Sequence, residues 1–121
     1  MRVVCVLDTN DLDTLATFWS AALSFEREAG EHPTYRALRD PEGRRPDLIL
    51  QWVPEPRPGK NRMHLDLLVS DQAAEAERLV GLGARILTTA FEEDGHVLSV
   101  LADPEGNEFC VVQPPEGVPE P

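Results

Sequence analysis

The sequence predicts an α+β fold in which two βαβββ modules build a curved mixed sheet around a concave cavity. Three observations predict it. Asp40-Pro41-Glu42-Gly43 recurs letter for letter as Asp103-Pro104-Glu105-Gly106, an acidic helix start at Asp11 is matched by Asp71, and Leu23-Ser24 is matched by Leu82-Gly83. The offsets are 63, 60 and 59 residues, so two copies of roughly 60 residues fill the 121-residue chain. Asp-Pro-x-Gly alone is a common turn. It is the shared order of all three landmarks that marks a repeat.

In the first copy, Val3 to Leu7 is a β-branched apolar run and reads as a strand. Asp11 caps a segment whose Leu12, Leu15, Ala16, Trp19, Ala22 and Leu23 fall at helical spacing, which places Trp19 in the core. Strands follow at about Phe25 to Glu31, Tyr35 to Arg39 and Leu48 to Val53. The second copy repeats the order: a strand at Met63 to Val69, a helix from Gln72 to Leu82 capped by Asp71 and ended by Gly83, and strands at about Arg85 to Phe91, Val97 to Ala102 and Glu108 to Gln113. The first module therefore spans residues 1–53 and the second 62–113. Between them, Pro54 to Asn61 is a Pro-rich linker that cannot continue a sheet, and 114–121 reads as a disordered tail. The whole is expected to form one structural domain. Each module has one apolar helix for two sheet faces, and pairing the two leftover faces leaves a concavity suited to a ligand.

Composition narrows the function. With 41% hydrophobic and 27% charged residues the chain is expected to be globular, soluble and intracellular, and no apolar run reaches the roughly 20 residues of a membrane span. A net charge of −11 with no basic stripe argues against nucleic acid and anionic lipid, permits a cationic ligand, and equally serves solubility. Cys5 and Cys110 form neither a disulfide framework nor a paired-thiol motif, and their apolar runs predict small buried side chains. No Ser-His-Asp order, phosphate-cradling glycine loop or dinucleotide fingerprint is present.

The paired units, Leu15-Ala16-Thr17-Phe18-Trp19, the linker running into Gly59-Lys60-Asn61-Arg62-Met63-His64-Leu65-Asp66-Leu67, and Asp103-Pro104-Glu105-Gly106-Asn107-Glu108-Phe109 together resemble the vicinal oxygen chelate superfamily, in its glyoxalase-like branch, over about residues 2 to 113. The resemblance implies a cytoplasmic homodimer and a small-molecule ligand. In the enzymes of that superfamily a divalent metal in the cavity polarises vicinal substrate oxygens, held by His or Gln on the first strand and Glu on the last strand of each unit. Carried over by spacing, the first-strand positions are His64 and Val4, and an aliphatic side chain cannot coordinate. The last-strand position of the second copy is Cys110; that of the first is Asp47 or Leu48, because Arg44-Arg45-Pro46 alters the turn. The cofactor is thus open: a divalent metal on His64, Cys110 and Asp47, or none.

His64 alternates with Arg62 and Asp66, leaving Met63, Leu65, Leu67 and Val69 to face the helix. Two readings fit His64: a ligand-contacting or acid/base residue, and a hydrogen-bonded structural histidine. Glu108 shares a face with Cys110 and is either a general base or a solvated carboxylate. Trp52 and Gln51, near the linker, are candidate cavity wall; Lys60 and Arg62 are candidate carboxylate binders. His32 and His96 flank turn residues and are expected to be exposed, while Asp40, Asp103 and Asn107 are expected to shape turns. Three functions remain in play: a glyoxalase-like protein binding a small organic molecule, with lyase- or isomerase-type chemistry; a non-catalytic antibiotic-binding protein of the bleomycin-resistance kind; and a metal-dependent lyase or dioxygenase with an atypical His/Cys/acid set.

Overall fold

The computed structural model describes residues 2–30 and 32–117. Its elements run β1 (Cys5–Thr9), α1 (Leu12–Leu23), β2 (Glu26–Arg27), β3 (Tyr35–Arg39), β4 (Leu48–Trp52), β5 (Asp66–Leu68), α2 (Gln72–Leu82), β6 (Arg85–Glu93), β7 (His96–Ala102) and β8 (Glu108–Gln113). The chain divides into two compact units, one ending at Pro58 and the other starting at Gly59, a boundary inside the expected linker. The mixed sheet is present as two four-stranded sheets, ordered β1-β4-β3-β2 and β5-β8-β7-β6. In each, the first and last strands of the unit pair in parallel and the remaining pairs are antiparallel. The parallel pairs require a crossover, and each helix provides part of it.

Both helices start by the same device. Asp11 and Asp71 have extended backbones, and their carboxylates accept from the N–H of Thr14 and Ala74 at 3.1 and 3.0 Å, satisfying a donor that the helix itself leaves free. Thr14 also donates its hydroxyl to Asp11, and these bonds hold the Asp11 carboxyl below its ordinary range. The ends differ: Gly83 has φ +122°, whereas Ser24 adopts a left-handed φ of +55° with a side chain in place.

In the first unit α1 buries Leu12, Leu15, Ala16, Phe18, Trp19 and Ala22, and Leu38, Leu48 and Leu50 of the sheet complete this core. Phe18 meets Trp19 edge to face at 5.1 Å. In the second unit α2 buries only Gln72, Ala76 and Leu79, against a sheet contributing Leu101, Phe109 and Val111. Gln72 is anchored at both ends: its N–H donates to Gln113 Oε1 at 2.9 Å and its side-chain amide to the buried Ser99 hydroxyl at 2.5 Å.

The Asp-Pro-Glu-Gly turns hold each third strand to its fourth. Asp103 is fully buried and accepts from the N–H of Glu105 and Asn107 and from the Asn107 amide; Gly106, at φ +87°, closes the turn back onto the Asp103 carbonyl. Asp40 does the same for Glu42 but recruits the N–H of Arg44 and Arg45 and the Arg45 guanidinium, which hold its carboxyl far below the usual carboxylate range. The turn between β6 and β7 comes from Asp94-Gly95, both at positive φ, the backbone demanded by a tight hairpin.

Several expected boundaries move. The second strand shrinks from Phe25–Glu31 to two residues, because Phe25 turns into the core and Gly30, at φ +93°, leads the chain away. β1 lies two residues later than expected, where β4 can pair with it. β5 begins at Asp66 rather than Met63, so the expected inward alternation holds for Leu65, Leu67 and Val69 but fails at Met63, which is 86% exposed. Cys5 and Cys110 are half-buried free thiols rather than fully enclosed ones, and His96 is half-buried, not exposed. Of the tail expected to be disordered, residues 114–117 line a surface hollow with Val69 and Ser70; the rest lies outside the described residues. No helix among the described residues is long and apolar enough to cross a membrane.

Candidate functional site

Asp66 stands directly opposite Cys110 in the parallel pairing of β5 with β8, and Cys110 in turn stands opposite Val100 of β7. These residues share the sheet face away from α2, since Ser99, which the α2 side chain of Gln72 grips, is on the other face. His64 sits two residues before Asp66 and comes back onto the same side, with Nε2 3.2 Å from Asp66 Oδ1. One donor atom each from His64, Asp66 and Cys110 therefore lies within 4.8 Å of the other two.

The neighbours of this cluster are charged. Glu108 begins β8 on the Cys110 face, and Lys60 Nζ lies 3.6 Å from its Oε2. Burial, then the Asp66 carboxylate and more weakly Glu108, push the Cys110 thiol above its ordinary value against a weaker opposing pull from Lys60, so the sulfur stays protonated at neutral pH. That disfavours a free thiolate nucleophile. The linker's end is tied to the same region: Asn61 donates to Asn107 Oδ1 at 3.3 Å, and Asn107 is itself held by Asp103. Asn61 was not singled out by the sequence, because only the parallel register reveals that the residues before β5 run beside the start of β8.

The remaining sequence candidates lie elsewhere. Arg62 is exposed ahead of β5. Gln51 and Trp52 end β4 in the first unit and are exposed; Gln51 is flanked by Asp8 and Tyr35 on the neighbouring strands. Asp47 is also in the first unit, where it accepts from Arg39 Nε at 3.2 Å and is ion-paired with Arg2. The acid beside His64 and Cys110 is Asp66.

The register also settles which residue of the first unit corresponds to Cys110. With Asp11 and Asp71 as common origins, Val4 and Val6 correspond to His64 and Asp66. Val6 pairs with Ile49 just as Asp66 pairs with Cys110. The equivalent position is thus Ile49, neither Asp47 nor Leu48, because the turn after Gly43 is two residues longer than that after Gly106. Where the second unit carries His, Asp and Cys, the first carries Val, Val and Ile. The four-position metal set implied by the resemblance falls on Val4, Ile49, His64 and Cys110, and two aliphatic side chains in four do not fit it.

A family profile described as "Glyoxalase-like domain" matches residues 4–112. A search of curated proteins finds no match. Among solved structures, a glyoxalase/bleomycin resistance protein/dioxygenase family enzyme from Burkholderia phytofirmans PsJN is similar with a TM-score of 0.75 at 18% identity, over 91% of this chain and 95% of that one. A glyoxalase/bleomycin resistance protein/dioxygenase from Nocardioides has a TM-score of 0.72 at 15% identity, over 100% and 89%. A glyoxalase-related enzyme from Fulvimarina pelagi has 0.70 at 19%, over 93% and 88%. Such identities establish a shared fold, one common to enzymes and resistance proteins, and no shared reaction.

Proposed function

The chain belongs to the glyoxalase-like domain family, and from that premise we propose that it binds a small organic molecule on the face of its second sheet turned away from α2, with His64 as the central polar contact. The observation that carries this is the convergence of His64, Asp66 and Cys110 on one face, with the half-exposed imidazole positioned by a carboxylate. Val100, Leu98 and Leu68 on the same face supply apolar contact beside that polar group. Where chemistry follows binding, it is a lyase- or isomerase-type rearrangement, with His64 and Glu108 as the groups able to move a proton. We place the protein in the cytoplasm as a homodimer.

Titration calorimetry with a panel of small oxo-acids and their thiol adducts tests this. His64→Ala is expected to weaken binding by at least about tenfold with an unchanged circular dichroism spectrum; equal binding by both proteins refutes it.

A second reading, sequestration of a cationic antibiotic, is favoured by the net charge of −11. It predicts tight binding of bleomycin at low salt that is lost at high salt, since exposed charges are screened beyond about 8 Å at physiological ionic strength. Binding that does not respond to salt, or no binding, removes this reading.

A further inference from the structure

We propose that the first unit carries a binding site for a phosphorylated small molecule, in a hollow where four arginines meet beside the Asp40 turn. It involves none of the residues placed on the ligand-binding face of the second sheet. Four of the chain's 11 Lys and Arg, namely Arg2, Arg39, Arg44 and Arg45, line this hollow of about 530 Å³ together with Asp40 and Asp47. In a chain of net charge −11 such a gathering runs against the composition, and the overall field opposes any anion that is not held at short range.

Two buried carboxylates aim the guanidinium groups. Asp40, whose side chain is 1% exposed, receives Arg45 Nε at 3.1 Å, and the same guanidinium lies 4.7 Å over the Phe25 ring. Asp47, 11% exposed, receives Arg39 Nε at 3.2 Å and is ion-paired with Arg2. A guanidinium has five N–H donors and an Nε contact engages one, so the terminal forks of Arg39 and Arg45 keep donors for a further acceptor. Arg39 also turns one terminal nitrogen to Glu28 at 3.3 Å, and Arg44 pairs with Glu42. Both glutamates are well exposed and neither lines the hollow, so these pairs are weak and yield to a stronger acceptor.

Within the hollow, four guanidiniums face two carboxylates. The excess of two positive charges matches the charge of about −1.5 to −2 on a phosphate monoester at neutral pH, and planar forks take phosphate oxygens in bidentate pairs. The volume falls within the range of small-molecule clefts, about 300–1,000 Å³, which leaves room for the group that carries the phosphate.

The repeat separates these arginines from the needs of the turn. In the second unit Asp103 is satisfied by turn N–H groups and the neutral Asn107 amide, and residues 103–110 include no Lys or Arg. The first turn is two residues longer and carries Arg44-Arg45 in the extended stretch. An Asp-Pro-Glu-Gly turn thus closes without a guanidinium, and the charge in the first unit is additional to it.

The test is calorimetric titration of the full chain with pyrophosphate at low ionic strength, where one equivalent is expected to bind. The double variant Arg2→Gln, Arg44→Gln removes two well-exposed guanidiniums and is expected to weaken binding by about tenfold or more. Arg78→Gln, Arg85→Gln removes the same charge from α2 and β6, outside the hollow, and is expected to change affinity by less than about twofold. Pyrophosphate is also expected to raise the thermal midpoint followed by tryptophan fluorescence, since Trp19 and Trp52 both report the first unit. Far-ultraviolet circular dichroism confirms the fold of each variant. No binding by the wild type, unchanged affinity in the Arg2, Arg44 variant, or an equal loss in the Arg78, Arg85 variant overturns the proposal. Malonate binding as tightly as pyrophosphate overturns it too, because the hollow would then take carboxylates and not phosphoryl groups.

Discussion

Asp103→Ala should destabilise the second unit by about 3 kcal/mol. The side chain is fully buried and accepts four hydrogen bonds from three groups: Glu105 N–H at 3.0 Å, Asn107 N–H at 2.9 Å, and the Asn107 amide at 3.1 and 2.9 Å. With the carboxylate gone, water can reach the half-buried Glu105 but not Asn107, which is 6% exposed. Two buried Asn107 donors then lose their acceptor, at about 1–3 kcal/mol each. For a urea dependence of about 1.5 kcal/mol/M, the midpoint falls by about 2 M. Asp103→Asn keeps one acceptor oxygen and should lose about half as much. Urea titration followed by far-ultraviolet circular dichroism measures the loss. Tryptophan fluorescence run in parallel reports the first unit alone, since Trp19 and Trp52 are both there. A change below about 0.5 kcal/mol, the scale of an unremarkable surface substitution, would refute the reasoning.

Asp40, whose carboxyl is held far below the ordinary 3.8 first by Arg45 and then by the turn N–H groups, binds fewer protons folded than unfolded. Its contribution is therefore complete above about pH 4 and is lost as pH falls from there toward its depressed value; Asp40→Asn should flatten acid unfolding in that window, and an unchanged acid limb would contradict it. Ser24→Gly should raise stability by about 0.5–1 kcal/mol, because Ser24 bears a Cβ in the left-handed conformation, whereas the matching helix end places a glycine, Gly83, at its positive φ; a fall in the thermal midpoint would count against this.

The helices were legible because their signals are local. Asp71, the spacing of Ala76 and Leu79, and Gly83 fix α2 residue for residue, and Asp11 does the same for the start of α1. Strand ends were less legible, because a strand ends where its partner ends. Met63 to Leu65 continue an apolar alternation, yet the pairing with β8 begins at Asp66, with the bond from Cys110 N–H to the Leu65 carbonyl just ahead of it. The site shows the same division. Alternation along one segment puts His64 and Asp66 on one side, and that much is written locally. The residue facing Asp66 is decided by the register between β5 and β8, which no local pattern encodes. Asp47 was drawn in by a turn motif whose two-residue extension shifts every later position, and structure assigns its carboxylate to Arg2 and Arg39.

The parallel pairing of β5 with β8 also fixes when the cluster comes into being. His64 and Asp66 enter the chain first, and Cys110 follows only after α2, β6 and β7, so Cys110 stays apart from the other two until the last strand inserts between β5 and β7. Long-range parallel closure of this kind is slow compared with forming a hairpin or a helix. A polypeptide halted after β7 can form α2 and the β6–β7 hairpin and still lack the His64–Asp66–Cys110 cluster altogether. Completion of that cluster is a record that the final strand has docked in register.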